Sequence, residues 1–193
     1  MDETTVSCSY FHHPGQENTE RVLQLARARA EQLQIKSVVV ATTTGQTGVR
    51  ASEVFRGHNV VLVTHSAGFA EPNTQELTDE NRQAMQANGA HILTCQHAFG
   101  GVGRAVRKKL QTYELDEIIA YTLRIFGQGT KVACEIALMA ADAGLIRAGE
   151  PTIAIGGTGR GSDTALVLLP TNAQTFFDLR VMEVLCKPGF YPG

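Results

Sequence analysis

Residues 36–52 read KSVVVATTTGQTGVRAS. Within them Ser37–Ala41 is a short, continuous run of apolar and mostly β-branched residues, the pattern of a strand buried on both faces of a parallel sheet. Thr42, Thr43, Thr44, Gly45, Gln46, Thr47 and Gly48 follow as a Thr- and Gly-rich turn, and helical spacing resumes to about Phe55. A buried strand that runs through a tight turn into a helix is the repeating half-unit of an open α/β sheet. Residues 60–63 (VVLV) repeat the buried-strand pattern, with His65 just past their carboxyl end.

Working outward, residues 6–11 read as a first strand, ended by Pro14 and Gly15, with Asn18 placed to cap the next helix. Over residues 20–33 the apolar positions Val22, Leu23, Ala26, Ala30 and Leu33 share one helix face. Residues 74–88 predict a polar helix closed by Gly89, and residues 90–95 a fourth strand. The first half therefore reads β-α-β-α-β-α-β, which right-handed crossovers turn into a doubly wound sheet. Residues 115–126 keep helical spacing, Gly127-Gln128-Gly129 interrupts it, and residues 130–143 form a helix rich in small residues that can approach the sheet closely. Residues 152–155 and Thr164–Leu169 read as strands joined by a Gly-rich loop rather than a helix. Residues 172–177 make a helical turn at most, 181–186 a last strand, and 187–193 a Pro/Gly tail. The predicted class is α/β. It is a three-layer sandwich with a mainly parallel, doubly wound sheet and antiparallel strands added near the C-terminus, in a single domain over residues 1–193.

Composition narrows the function classes. The chain has 193 residues, 43% hydrophobic and 19% charged, with a formal net charge of −2. That balance excludes a globally basic nucleic-acid binder, and an aromatic content of 6% without Trp gives no stacking platform for single strands. No apolar run approaches the ~18 residues of a membrane span, and the N-terminus lacks the pattern of a signal peptide. Cys8, Cys95, Cys134 and Cys186 are scattered and form no C-x-x-C pair, so reduced thiols and a cytoplasmic setting are expected. No metal site is expected: His12 and His13 would point to opposite faces of a strand, and no ligand spacing recurs elsewhere. The helical faces allow a homo-oligomer without requiring one.

Three glycine-rich stretches carry the chemistry. The 42–48 turn would present free N–H groups at a helix N-terminus, where an anion is favoured, with the Thr43 and Thr47 hydroxyls as further donors. It lacks the Gly-Lys-Ser/Thr ending of a Walker A loop, and a capped tight turn has the same sequence signature. The stretch from Gly156 and Gly157 to Asp163 resembles a nucleotide fingerprint, but a strand follows it where a helix should open. Its Arg160 suits a phosphate or the edge of a polar ring, and Arg160 with Asp163 could equally be a surface ion pair on a hairpin. The third, residues 100–109 (GGVGRAVRKK), has Val106 where a dinucleotide loop needs its last glycine. Its Arg104, Arg107, Lys108 and Lys109 suit an anion or acidic partner, though a solvated helix face is the commoner meaning of such a run. Glu135, inside an otherwise apolar helix, would titrate high if unpaired, and pairing would make it structural. Asp163, His65 and Glu135 are the acid–base candidates, and no catalytic group is assigned among them.

Taken together, KSVVVATTTGQTGVRAS (36–52) and AIGGTGRGSDTALVLLP (154–170) resemble the two loop regions of the C-terminal domain of pyruvate kinase. The wider match is to stand-alone pyruvate kinase alpha/beta domain-like proteins. It also takes in His13, Pro14, Gly15, Asn18, Gly68 and Phe69, Ala140-Ala141-Asp142, and Asp163-Thr164. The kinase catalytic barrel has no counterpart in these residues, so the resemblance does not imply phosphorylation of ADP. In allosteric pyruvate kinases the two loops hold a phosphorylated sugar effector, and some stand-alone relatives look like binders of flavin mononucleotide (FMN). The resemblance thus implies a phosphorylated ligand, FMN above all. Its phosphate would lie at Thr42, Thr43, Thr44, Gly45, Gln46, Thr47 and Gly48. The ring would be walled by Pro14, Gly15, Asn18, His65, Gly68, Phe69, Gly156, Gly157, Arg160 and Asp163. With aromatics so scarce, Phe69 is the one ring expected near it. A regulatory module that senses a phosphorylated metabolite is the alternative.

Overall fold

The computed structural model describes residues 3–189. One seven-stranded mixed sheet organises them, in the order β1-β7-β6-β5-β2-β3-β4. The strands are β1 (Ser9–Phe11), β2 (Ser37–Ala41), β3 (Asn59–Val63), β4 (His91–Leu93), β5 (Thr152–Gly156), β6 (Thr164–Leu169) and β7 (Arg180–Pro188). The α-helices are α1 (Thr19–Leu33), α2 (Gln46–Val54), α3 (Asp79–Ala87), α4 (Gly101–Leu110), α5 (Leu115–Arg124) and α6 (Gln128–Asp142). Strands β5, β2, β3 and β4 run parallel, and β6 is antiparallel to both β5 and β7. The α/β class and the antiparallel C-terminal addition are as the sequence predicts.

Alternate residues of each central strand face opposite layers. Val38, Val40, Val60, Leu62, Ile153 and Ile155 join α1, α2 and α3 in one core. Val39, Val61 and Val63 face α6, and Ala154, Leu166 and Leu168 face α5 and α6. The small residues of α6 serve this placement: Ala133, Ala137 and Ala140 are fully buried. Gly129 at its start lies so close to β6 that an added Cβ would sit 2.2 Å from Thr164 Oγ1.

Several boundaries differ from the sequence reading. The first strand is shorter, Ser9–Phe11, and lies at the far edge of the sheet, parallel to β7. Helix α3 begins at Asp79, because Thr78 caps it through a bond from Asn81 N, and residues 64–78 form a loop. Leu33 is exposed, since α1 reaches its left-handed stop at Gln34 beyond the sheet's cover. Asn18 holds the N-cap position but donates its amide to His13 O and Gly15 O instead of capping. Strand β7 extends through Pro188, so the expected tail begins as strand, and residues 190–193 lie outside the described residues. Among the described residues no helix is long and apolar enough to cross a membrane.

Candidate functional site

Because β2, β3 and β5 are parallel, Thr42, Thr64 and Gly157 all leave the sheet at one edge, where open α/β sheets place their ligands. Two cavities open there, of about 270 Å³ and about 130 Å³, with Phe69, His97 and Arg104 lining both. The larger is walled by Gly100 and Gly101 at the α4 start and by Lys108 of its last turn. The smaller lies between the ends of β2 and β3 and the first half of α6, with Thr42, Thr43, Arg124 and Lys131 on its walls. Both helices begin at this edge, α4 behind Gly100 and α6 behind Gly127, and neither has a side-chain cap. Their first-turn N–H groups are therefore left to water or a ligand.

A buried charge cluster forms the floor. Lys131 and Glu135 are one turn apart on α6, both almost fully buried, and Lys131 Nζ donates to Glu135 Oε2. Glu135 Oε1 accepts from Phe99 N at 2.9 Å, and His97 Nδ1 lies 3.8 Å from Oε2. Burial by itself pushes the Glu135 carboxyl up; the His97 ring and the Lys131 ammonium outweigh it and hold the group well below the usual carboxylate range. Of the two readings the sequence leaves open for Glu135, the paired one is found, since its cation partner sits at the i−4 position. Burial likewise draws the Lys131 ammonium down, Glu135 opposes this, and the nearby Arg124 and Arg104 add to it. Arg104, Arg124 and Lys131 thus line one cavity with a single carboxylate, so its charged lining is net positive within a chain of net charge −2.

Rings stack beside the charges. The Phe69 ring centroid lies 4.0 Å from that of His65 and 5.1 Å from that of His97, stacked roughly parallel to each, with the Arg104 guanidinium 4.9 Å away over its face. His65 is held from behind by Glu76, 2.6 Å from Nδ1. Two imidazoles, the expected His65 and the unexpected His97, extend the platform that Phe69 begins. His97 had no signal in the sequence, because its partner Glu135 lies on a distant helix.

The residues expected at the site divide into groups. Thr42, Thr43, His65 and Phe69 line the smaller cavity, and Gly68 with Phe69 lines the larger. Thr44, Gly45 and Gly48 pack toward the opposite layer, and none of residues 44–48 lines either cavity. Thr44 O accepts from Asn81 Nδ2 at 2.9 Å, and the Thr42 hydroxyl accepts from Gly48 N. A Cβ on Gly45 would meet Asn81 Cβ at 2.4 Å, and one on Gly48 would meet Met85 Sδ at 2.4 Å. Gln46 is exposed and Thr47 half-buried on the first turn of α2.

The second loop closes on itself. Asp163 is fully buried and accepts from Gly15 N and Thr158 N, both at 3.0 Å, and from the Thr164 hydroxyl at 2.8 Å. Its carboxylate is engaged by the protein's own donors, so it forms no surface ion pair with Arg160. Gly156 is covered by Gly129 O and Val132, and Gly157 by Gly161. Pro14, Gly15 and Asn18 belong to this clasp, and none of them lines either cavity. Arg160 is exposed and makes no hydrogen bond or ion pair among the described residues. The basic run of α4 is split in use: Arg104 and Lys108 line the cleft, while Arg107 lies 2.9 Å from the buried Glu117 of α5.

Among solved structures, the chain is similar to a pyruvate kinase from Cryptosporidium parvum, 14% identical over 79% of this chain, with a TM-score of 0.41. A second structure of pyruvate kinase from that organism is 14% identical over 72% of this chain, with a TM-score of 0.35. The chain spans 23% and 20% of the lengths of those two enzymes. The family model described as the alpha/beta domain of pyruvate kinase matches residues 20–168, and the chain belongs to that family.

Proposed function

We propose that this chain binds a phosphorylated small molecule that carries a planar ring, with FMN the ligand that suits the cleft best, at the carboxyl edge of β2 and β3. The reading is carried by three cations, Arg104, Arg124 and Lys131, that line one cavity with a single carboxylate, Glu135, which pairs with Lys131. Such a surplus of cations in a half-enclosed cleft favours an anion, and guanidinium groups suit the oxygens of a phosphate. The uncapped starts of α4 and α6 add dipole ends of the same sign. The Thr43 hydroxyl is a further donor at the wall. Together the two cavities reach the lower part of the range of small-molecule sites, about 300–1,000 Å³.

FMN would bring redox chemistry of its own when bound, and the chain's residues would supply binding and electrostatics. A second reading, non-catalytic sensing of a phosphorylated metabolite, uses the same cleft. It is favoured by the engagement of the acid–base candidates: Glu135 by Lys131, His65 by Glu76 and Asp163 by backbone N–H groups. Flavin fluorescence titration tests both. We expect saturable FMN binding that inorganic phosphate competes away, and a loss of about 10- to 100-fold in the Arg104→Ala/Arg124→Ala double variant. Equal affinity for riboflavin and FMN would contradict phosphate recognition. Failure of FMN alongside tight binding of a sugar phosphate would move the conclusion to the second reading.

A further inference from the structure

Phe69 sits at the tip of an exposed loop, yet its ring is inserted among three side chains of the cleft wall. Residues 67–74 are all exposed. The loop is tied to itself by Gly68 N to Thr74 O at 2.8 Å and Phe69 N to Ser66 O at 3.2 Å. Its base is held by Gln75 Nε2 on His65 O at 2.9 Å and by the His65–Glu76 pair. Gly68 and Asn73 both have positive φ, 78° and 62°, and they flank the tip. The ring of Phe69, still 38% exposed, is what engages the tip with the cleft wall, through His65, His97 and Arg104.

The same ring divides the cleft. The two cavities have Phe69, His97 and Arg104 in common, so these three side chains form the partition between them. His97 and Arg104 belong to the body of the domain, and Phe69 belongs to the loop. If the loop tip lifts, one continuous cleft remains, with a slot of aromatic-ring size between a guanidinium and two imidazoles. Such groups recognise the face of any planar π-system.

We propose that Phe69 is an internal stand-in for the ligand's ring: the slot between Arg104 and the His65 and His97 imidazoles is the ring subsite, and the loop tip, residues 67–74, must withdraw Phe69 to admit a flat heteroaromatic group while His65 stays anchored at the loop base by Glu76. The inference rests on the proposed ligand reading for the ring's place beside the phosphate. The slot itself is testable without a phosphate.

The test is titration with lumichrome, the bare flavin ring system, beside FMN. An occupant that must leave lowers apparent affinity by the fraction of time the slot is open, so Phe69→Ala is expected to bind lumichrome about tenfold tighter than the parent chain. Unchanged or weaker binding, or binding to neither protein, would overturn the proposal. Weaker binding would mean that Phe69 is a platform the ligand stacks on. Because the chain has no Trp, Phe69→Trp supplies a single reporter that preserves a ring at this place. Saturating lumichrome should shift its emission to the red as the indole is expelled, and a fixed emission overturns the proposal. If lumichrome behaves as expected while FMN binds no better than lumichrome, the phosphate reading fails and the ring slot stands.

Discussion

At Glu135, burial, the Lys131 ammonium, the His97 ring and the Phe99 amide act on one carboxylate. Breaking a buried pair on one side leaves an uncompensated charge, so Lys131→Met is expected to lose about 3–5 kcal/mol in urea denaturation, with part of it recovered in Lys131→Met/Glu135→Leu. A loss below about 1 kcal/mol would show that water reaches the pair. The pH dependence has a definite sign. The folded value of Glu135 lies below its ordinary 4.5. Its stabilisation is therefore complete above about 4.5 and is lost as pH falls through the depressed folded value. Thermal melts between about pH 5 and 2 should steepen with acid in the parent chain and less so in Glu135→Gln. The thiols differ in a similar way. Burial pushes Cys134 and Cys186 up to about 12. They should resist iodoacetamide in the native protein at neutral pH, while the half-buried Cys8 is alkylated first. Peptide mapping of the labelled protein checks the order.

At the scale of elements, α6 decides both the packing and the site. Its small residues bring it onto β5 and β2, and that closeness aims Lys131 and Glu135 at the cleft. Gly129→Ala places a methyl against Thr164 and is expected to lower stability by about 1–3 kcal/mol, measured by thermal melting. Gly45→Ala should do the same without touching the ligand, because Gly45 is held at φ +104° under Asn81 and Leu77. The sequence made α6 legible through its run of alanines, and it made Glu135 conspicuous as a lone carboxylate. Lys131 passed unremarked, although the i, i+4 spacing to Glu135 is itself a pairing signal. The basic run of α4 suits both an anion site and a solvated face in the sequence, because nothing local tells Arg104, which lines the cleft, from Lys109, which does not. The start of α3 was placed early because residues 64–78 are polar without period, and only Thr78 marks the cap.

At the scale of the whole molecule, the continuous apolar runs of β2, β3, β5 and β6 carried the topology, since strands buried on both faces leave a pattern that short windows can read. The place of β1 was not legible in this way. Its partner β7 is at the other end of the chain, and a short half-exposed strand carries no mark of which edge it joins. The site was legible in part for the same reason. Thr42, Thr43 and His65 follow directly from strand ends, whereas Arg124 and Lys131 reach the cleft only through the stacking of layers. The Gly156–Asp163 stretch misled because its glycines serve a clasp around Asp163. The most direct check is amide chemical-shift mapping of the ¹⁵N-labelled protein during addition of FMN. The expected result is saturable shifts concentrated at residues 42–43, 97–104 and 127–131, around the three cations. Shifts confined to residues 157–163, or no saturable shift at all, would contradict the assignment of the cleft.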